Sequence, residues 1–122
     1  MGLADSGRVI CASADLADGG PGRRFLVTLQ GRDEPAFVIR HGGQVHAYVN
    51  RCAHVPVELD WAEGEFFDHS GLYLICATHG AHYFPESGRC AGGPCRGRGL
   101  EKLEVAERDG LITLMQDLND DV

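Results

Sequence analysis

The 122-residue chain has no apolar run near the roughly twenty residues that span a bilayer, and no basic N-terminal region leading into an apolar stretch. A membrane anchor and a secretory leader are therefore not expected, and a cytoplasmic location is. Basic residues are also scarce: eleven Lys and Arg stand against eighteen Asp and Glu, a net charge of −7. That balance argues against nucleic-acid or anionic-membrane binding and favours docking to a basic patch, although charge of this size also serves solubility alone. Internal repeats, low-complexity linkers and helical periodicity beyond a turn or two are missing, so nothing divides the chain. One domain over residues 1–122 with a small core is expected.

Glycine, by contrast, is abundant at seventeen, and it punctuates short β-branched and aromatic runs. This is the pattern of an antiparallel all-β domain with tight turns. Residues 8–12, 25–29, 36–40 and 45–50 read as early strands, with a loop at Gly19-Gly20-Pro21-Gly22. Gly42-Gly43 marks a two-residue hairpin turn of the primed type, since both glycines tolerate positive φ. Residues 72–77 form a later strand, and Asp109-Gly110 turns 103–107 onto 111–115 to close a sheet beside the first strands. The acidic tail at 117–122 is expected to fray.

Two short clips leave these strands, Cys52-Ala53-His54 and Cys76-Ala77-Thr78-His79, each offering one thiolate and one imidazole. Such a set suits a [2Fe-2S] cluster in which two Cys bind one iron and two neutral His bind the other. Cys2His2 is also a tetrahedral zinc set, although zinc motifs commonly place Cys near Cys and His near His. A Cys/His hydrolase would need only one such pair. His41, His46 and His69 read as exposed turn residues, and His82 as a surface residue beside the second clip. Arg89, Arg96 and Arg98 form a basic cluster suited to an acidic partner group or to solvent. Cys11, Cys90 and Cys95 remain, an odd number that fits a reducing compartment; Cys90 and Cys95 flank the Gly92-Gly93-Pro94 turn, where pairing or tuning of the centre is the alternative, but all three read as small thiols.

The stretch after the second clip resembles the Rieske family: Gly80 after the histidine, Tyr83-Phe84 shortly beyond, then Gly88 and Ala91-Gly92-Gly93-Pro94. The resemblance runs from about residue 25 to 114. It implies an antiparallel Rieske-like β-sandwich with a cluster-binding subdomain of two loops inserted in the sheet, the cluster loops falling at about 51–95. It further implies one [2Fe-2S] cluster held by Cys52, His54, Cys76 and His79. Gly80, Ala81, Tyr83, Gly93 and Pro94 would tune or shield it, Gly93 and Pro94 as the turn of a third loop. The histidine edge, facing water, would pass electrons and couple the potential to pH.

The chain departs from the family in two respects. The 21 residues at 55–75 are longer than in small Rieske ferredoxins, and they carry Trp61, Phe66 and Phe67 among Glu58, Asp60, Glu63, Glu65 and Asp68. They read as a hairpin buried on its aromatics rather than a partner-facing flap. Respiratory members carry an extra Cys in each clip joined by a disulfide, and here Val57 and Thr78 take those places. They also carry a serine where Ala81 stands, whereas Tyr83 keeps their tyrosine, so a low to intermediate potential within roughly −150 to +300 mV is expected. Nothing after Pro94 supplies the second iron site of a Rieske oxygenase. The resemblance therefore implies no enzyme but an electron-transfer component, carrying one electron from a flavin reductase to a terminal oxygenase. The alternative is a permanent small subunit of a larger oxidoreductase such as nitrite reductase, and a zinc module is a remote one.

Overall fold

The computed structural model describes residues 8–53, 57–60, 62–77 and 80–115. Among these the chain forms three antiparallel sheets, and its helical content is the single 3-10 turn Ser13–Asp15. The first sheet joins β1 (Arg8–Ala12), β10 (Leu111–Leu114) and β9 (Val105–Arg108), with β10 in the middle. The second runs β2 (Arg23–Leu29), β3 (Arg32–His41), β4 (Gln44–Val49) and β8 (Lys102–Leu103). The third is small: β5 (Leu74–Ile75), β6 (His82–Tyr83) and β7 (Cys90–Gly92). The expected all-β antiparallel class is the one observed.

The second sheet is covered on both faces, and alternation along its strands divides the core in two. Ala36, Val38, Ala47 and Val49 point to one side, where they meet Cys11, Leu103, Ile112 and Leu114. Phe37, Ile39 and Tyr48 point to the other, where they meet Cys52, Phe66, Cys76, Tyr83 and Cys95. This is why four consecutive residues of β3, Ala36 to Ile39, are all buried instead of alternating with exposed ones.

Turn chemistry fixes the register. Gly42 and Gly43 have φ of 64° and 81°, as the primed turn between β3 and β4 requires, and Asp109-Gly110 turns β9 onto β10 in the same way. A third turn of this kind, Gln30-Gly31, joins β2 to β3 and lets β3 begin four residues earlier than expected, at Arg32 rather than at residue 36. The run expected at 103–107 is split: Leu103 pairs with Ala47 in the second sheet, and Val105 pairs with Leu114 in the first. That switch stitches the two larger sheets together at one corner.

Two histidines expected in exposed turns are packed. His46 sits on β4 at 9% exposure, with its Nε2 buried and without a hydrogen-bond partner. His41 stands 3.0 Å from Glu86 Oε2 and stacks on Phe67, while His69 is exposed as expected. Burial foremost, and then the nearby Lys102 charge, hold the His46 imidazole below its ordinary range. The unfolded chain then binds this proton first, so stability is full above the unfolded value of about 6.5 and is lost as pH falls through it toward the folded value. Thermal melts from about pH 7.5 down to about 5.5 should show a declining midpoint, and His46→Asn should flatten the decline. An unchanged slope in the variant would remove His46 as its cause.

Candidate metal centre

The chain leaves β4 through Asn50, whose buried amide organises the first clip and the segment beyond it. Its Oδ1 accepts from Leu59 N at 2.9 Å and its Nδ2 donates to Asp60 Oδ1 at 3.1 Å. The other Asp60 oxygen accepts from Gly64 N at 3.0 Å and lies 3.5 Å from Arg24 Nε. Cys52 then opens a loop that closes on itself, Cys52 N donating to Val57 O at 2.8 Å. The second clip is built alike after β5: Cys76 N donates to Ala81 O at 2.8 Å, and Gly80 N donates to Cys76 O at 2.8 Å. Ala77 N donates to Leu59 O at 3.1 Å, docking the second loop against the segment just past the first.

Of the four expected ligands, Cys52 and Cys76 are both buried and belong to one core cluster. His54 and His79 lie outside the described residues, as do Thr78 and Trp61. Among the described residues no group of three or more Cys, His, Asp or Glu forms a metal set. Tyr83, fully buried on β6, places its hydroxyl 3.3 Å from Cys52 Sγ and 3.0 Å from Ala53 N. The Ala53 amide donates to that oxygen, and a thiolate at Cys52, having no proton of its own, would accept the phenolic one. Burial first, and then the bond to Cys52, raise the Tyr83 phenol well above its ordinary value, so it remains a donor. Its electrostatic coupling reaches Cys76 as well as Cys52. Two buried sulfurs beside one hydroxyl donor fit the thiolate side of an iron-sulfur centre, because a donor stabilises negative charge on sulfur. Ala81 is fully buried, and its methyl group offers no second donor.

A third loop covers these two. A Cβ built on Gly93 would stand 2.8 Å from Gly80 O and 3.1 Å from Ala81 Cα, so the loop's backbone rests directly on the second clip, and Gly93 itself adopts a φ of 88°. Pro94 comes next, exposed. Arg98 Nη1 donates to Ala53 O at 3.1 Å, fastening the end of the same loop to the first clip.

A family profile described as "Rieske [2Fe-2S] domain" matches residues 7–109. The chain belongs to the Rieske family. Its cofactor is accordingly one [2Fe-2S] cluster, and a Rieske domain is an electron carrier rather than a catalyst. No curated protein sequence matches the chain. Among solved structures, this Rieske domain resembles the ferredoxin of carbazole 1,9a-dioxygenase from Nocardioides aromaticivorans IC177, at 20% identity and a TM-score of 0.69 over 92% of this chain and 99% of that one. It is likewise similar to the Sphingomonas yanoikuyae B1 ferredoxin, at 22% identity and a TM-score of 0.67 over 90% of this chain and 98% of that one. The terminal oxygenase of carbazole 1,9a-dioxygenase from Novosphingobium sp. KA1 matches at 26% identity and a TM-score of 0.69. That match covers 93% of this chain but 30% of the oxygenase. Among the described residues no helix is long and apolar enough to cross a membrane.

Around this Rieske centre the structure corrects one expectation. Cys90 and Cys95, expected as thiols, form a disulfide with Cα atoms 5.5 Å apart. Spacing alone did not reveal it, because whether two cysteines meet depends on the fold of the turn between them. His82 lies at the surface as expected, its side chain 35% exposed, with its Nδ1 2.9 Å from Gly80 O and its Nε2 3.5 Å from Asp68 Oδ2. Within the segment between the clips, residues 66–75 form a short hairpin, as expected, with Phe67 paired to Leu74 and Phe66 fully buried, while Trp61 lies outside the described residues. Its turn is held by the Asp68 carboxylate, which accepts from Ser70 N, Ser70 Oγ and Gly71 N. Asn50 and Asp60 were not recognisable beforehand as the frame of the first clip, since a buried Asp reads in sequence like the exposed acids around it.

Proposed function

We propose that this Rieske chain is a one-electron carrier whose cluster is held on one iron by the Cys52 and Cys76 thiolates and on the other by neutral imidazole nitrogens of His54 and His79. The carrying observation is the pair of matched loops, 52–57 and 76–81, each opened by a buried Cys whose amide donates to the carbonyl five residues on. When bound, the cluster takes up and returns a single electron. The chain's own residues set how readily this happens. Tyr83 donates to Cys52 and favours the added negative charge, whereas Ala81 withholds a donor on the other side, and the balance is a low to intermediate potential.

Tyr83→Phe should therefore lower the potential. A hydrogen bond to a charged group contributes about 1.5–3 kcal/mol. If about 1 kcal/mol of that is specific to the reduced state, the shift is about 40 mV for a one-electron couple. An anaerobic titration of the variant checks this, and an unchanged or raised potential would contradict the role given to Tyr83.

The donor in this reading is a flavin reductase and the acceptor a terminal oxygenase. Support comes from the shape shared with ferredoxins of such systems, one of them named in a complex of reduced oxygenase and oxidised ferredoxin at 24% identity and a TM-score of 0.70. The chain's net charge of −7 would steer it to a basic docking face. A long segment between the clips would favour the small-subunit alternative if it faced a partner, but Phe66 of that segment is stacked on Phe37 in the chain's own core. Stopped-flow mixing of the one-electron-reduced protein with an oxidised Rieske terminal oxygenase tests the assignment. Reoxidation that saturates with oxygenase concentration is expected, whereas isolation only as a stable complex with a larger subunit would overturn it.

A further inference from the structure

The Cys90–Cys95 disulfide has no part in holding the cluster under the ligation proposed above, yet it closes the base of the third loop that rests on both clips. We propose that this pair is a thiol-exchange site for an anionic small-molecule thiol, and that its reduction loosens the third loop and exposes the cluster. The second half rests on the proposed ligation; the first does not.

The two sulfurs are unequal in access. Cys95 is fully buried in the core cluster that contains Cys52 and Cys76, whereas Cys90 is half-buried. Cys90 borders an open cleft of about 360 Å³, lined also by Arg89, Gly97, Arg98 and Gly99. Arg89 and Arg98 line the same cleft, and their positive charge favours an attacking thiolate that carries further negative charge, such as the carboxylates of a tripeptide thiol. Attack on Cys90 Sγ forms a mixed disulfide and breaks the bond to Cys95, whose sulfur takes the electron pair and then a proton. A second thiolate attacks the reagent sulfur of the mixed disulfide and releases Cys90 as a thiol. Two molecules of reductant are thereby oxidised to their own disulfide, and the protein gains two electrons and two protons.

The reduced state has a place in the structure. Cys95 Sγ lies 3.3 Å from Gly92 O and 3.4 Å from His82 O, two carbonyls ready to accept from a thiol that the disulfide lacks. The consequence for the centre comes from what the loop touches. Gly93, inside the ring that the Cys90–Cys95 bond closes, rests on Gly80 and Ala81, and Arg98, three residues beyond it, holds Ala53, so the covalent tie restrains the part of the loop that covers the second clip. In a compartment rich in small thiols such a disulfide is of the labile, redox-sensing kind rather than a permanent staple.

The cluster-loaded protein is incubated anaerobically at graded ratios of reduced to oxidised glutathione, acid-quenched and alkylated, and its peptides are weighed by mass spectrometry. In parallel, bleaching of the visible absorbance by an iron chelator is timed. Cys90 and Cys95 should become alkylated together as the ratio rises, with Cys11 unaffected by it, and bleaching should speed up about threefold. Cys90→Ser should bleach at the reduced rate whatever the ratio. Arg89→Gln should slow reduction by glutathione but not by uncharged dithiothreitol. Alkylation of both Cys90 and Cys95 in the fully oxidised protein, or equal sensitivity of Arg89→Gln to both reductants, would overturn the exchange site. A bleaching rate indifferent to reduction would overturn the coupling. The alkylation arm needs no cluster, so failure of the proposed ligation leaves it readable.

Discussion

Cys76→Ser is expected to give a colourless chain with essentially no iron or acid-labile sulfide. Cys76 is fully buried, and both its backbone groups are committed to the loop it opens, N–H to Ala81 and C=O to Gly80. A serine there presents a hydroxyl of far higher pKa than a thiol in a fully buried position, so under the proposed ligation one iron would lose a thiolate. Cys11→Ser is the control. Cys11 sits in the opposite half of the core, and burial foremost pushes its thiol upward, which keeps it protonated and unfit as a ligand. That variant should keep its full complement of iron. Should Cys76→Ser fail to accumulate, His79→Cys gives a second reading: a lowered potential or no assembly supports the ligand assignment, whereas unaltered redox behaviour contradicts it. A Cys76→Ser protein with one intact cluster per chain would remove Cys76 from the centre.

Phe66→Ala should cost about 3–5 kcal/mol of stability, the range for truncating a buried aromatic. Phe66 is fully buried and stacked on Phe37 with ring centroids 3.9 Å apart, so its removal forfeits area, a ring pair and the contact that anchors the inter-clip segment to β3. For a domain of this length the melting midpoint should fall by roughly 10–20 °C. Phe67→Ala, at a half-buried neighbour, should cost clearly less. Thermal melts monitored by far-UV circular dichroism read both. Equal losses at the two positions would mean that the segment is held by something other than its buried ring.

The parts of this structure that were legible beforehand are those where local chemistry and global fold agree. Gly42-Gly43 and Asp109-Gly110 demand primed turns and make them, and the Cys/His clips with their trailing Gly80, Tyr83, Gly93 and Pro94 pointed to the Rieske family that the profile match shows. The features that escaped depend on contacts between distant segments. Gln30-Gly31 turns as tightly as Gly42-Gly43, but its residue types signal this weakly, and the charged start of β3 resembles a loop. β6 and β7 are two and three residues long, too short for any periodicity to show. Leu103 and Val105 lie two apart yet serve different sheets, because the strand crosses a corner that no local pattern announces. At the centre, the donor role open to Tyr83 was readable from its place after the second clip. The Asn50–Asp60 frame and the Cys90–Cys95 bond were not, since each requires the third dimension.

An anaerobic redox titration of the purified protein, monitored by EPR, puts the proposed mixed Cys/His centre to its sharpest test. A Rieske-type signal from a half-reduced [2Fe-2S] cluster is expected, appearing in a single one-electron step at low to intermediate potential, within roughly −150 to +300 mV. A signal characteristic of an all-cysteine cluster, or no signal from a protein that instead binds zinc, would contradict it.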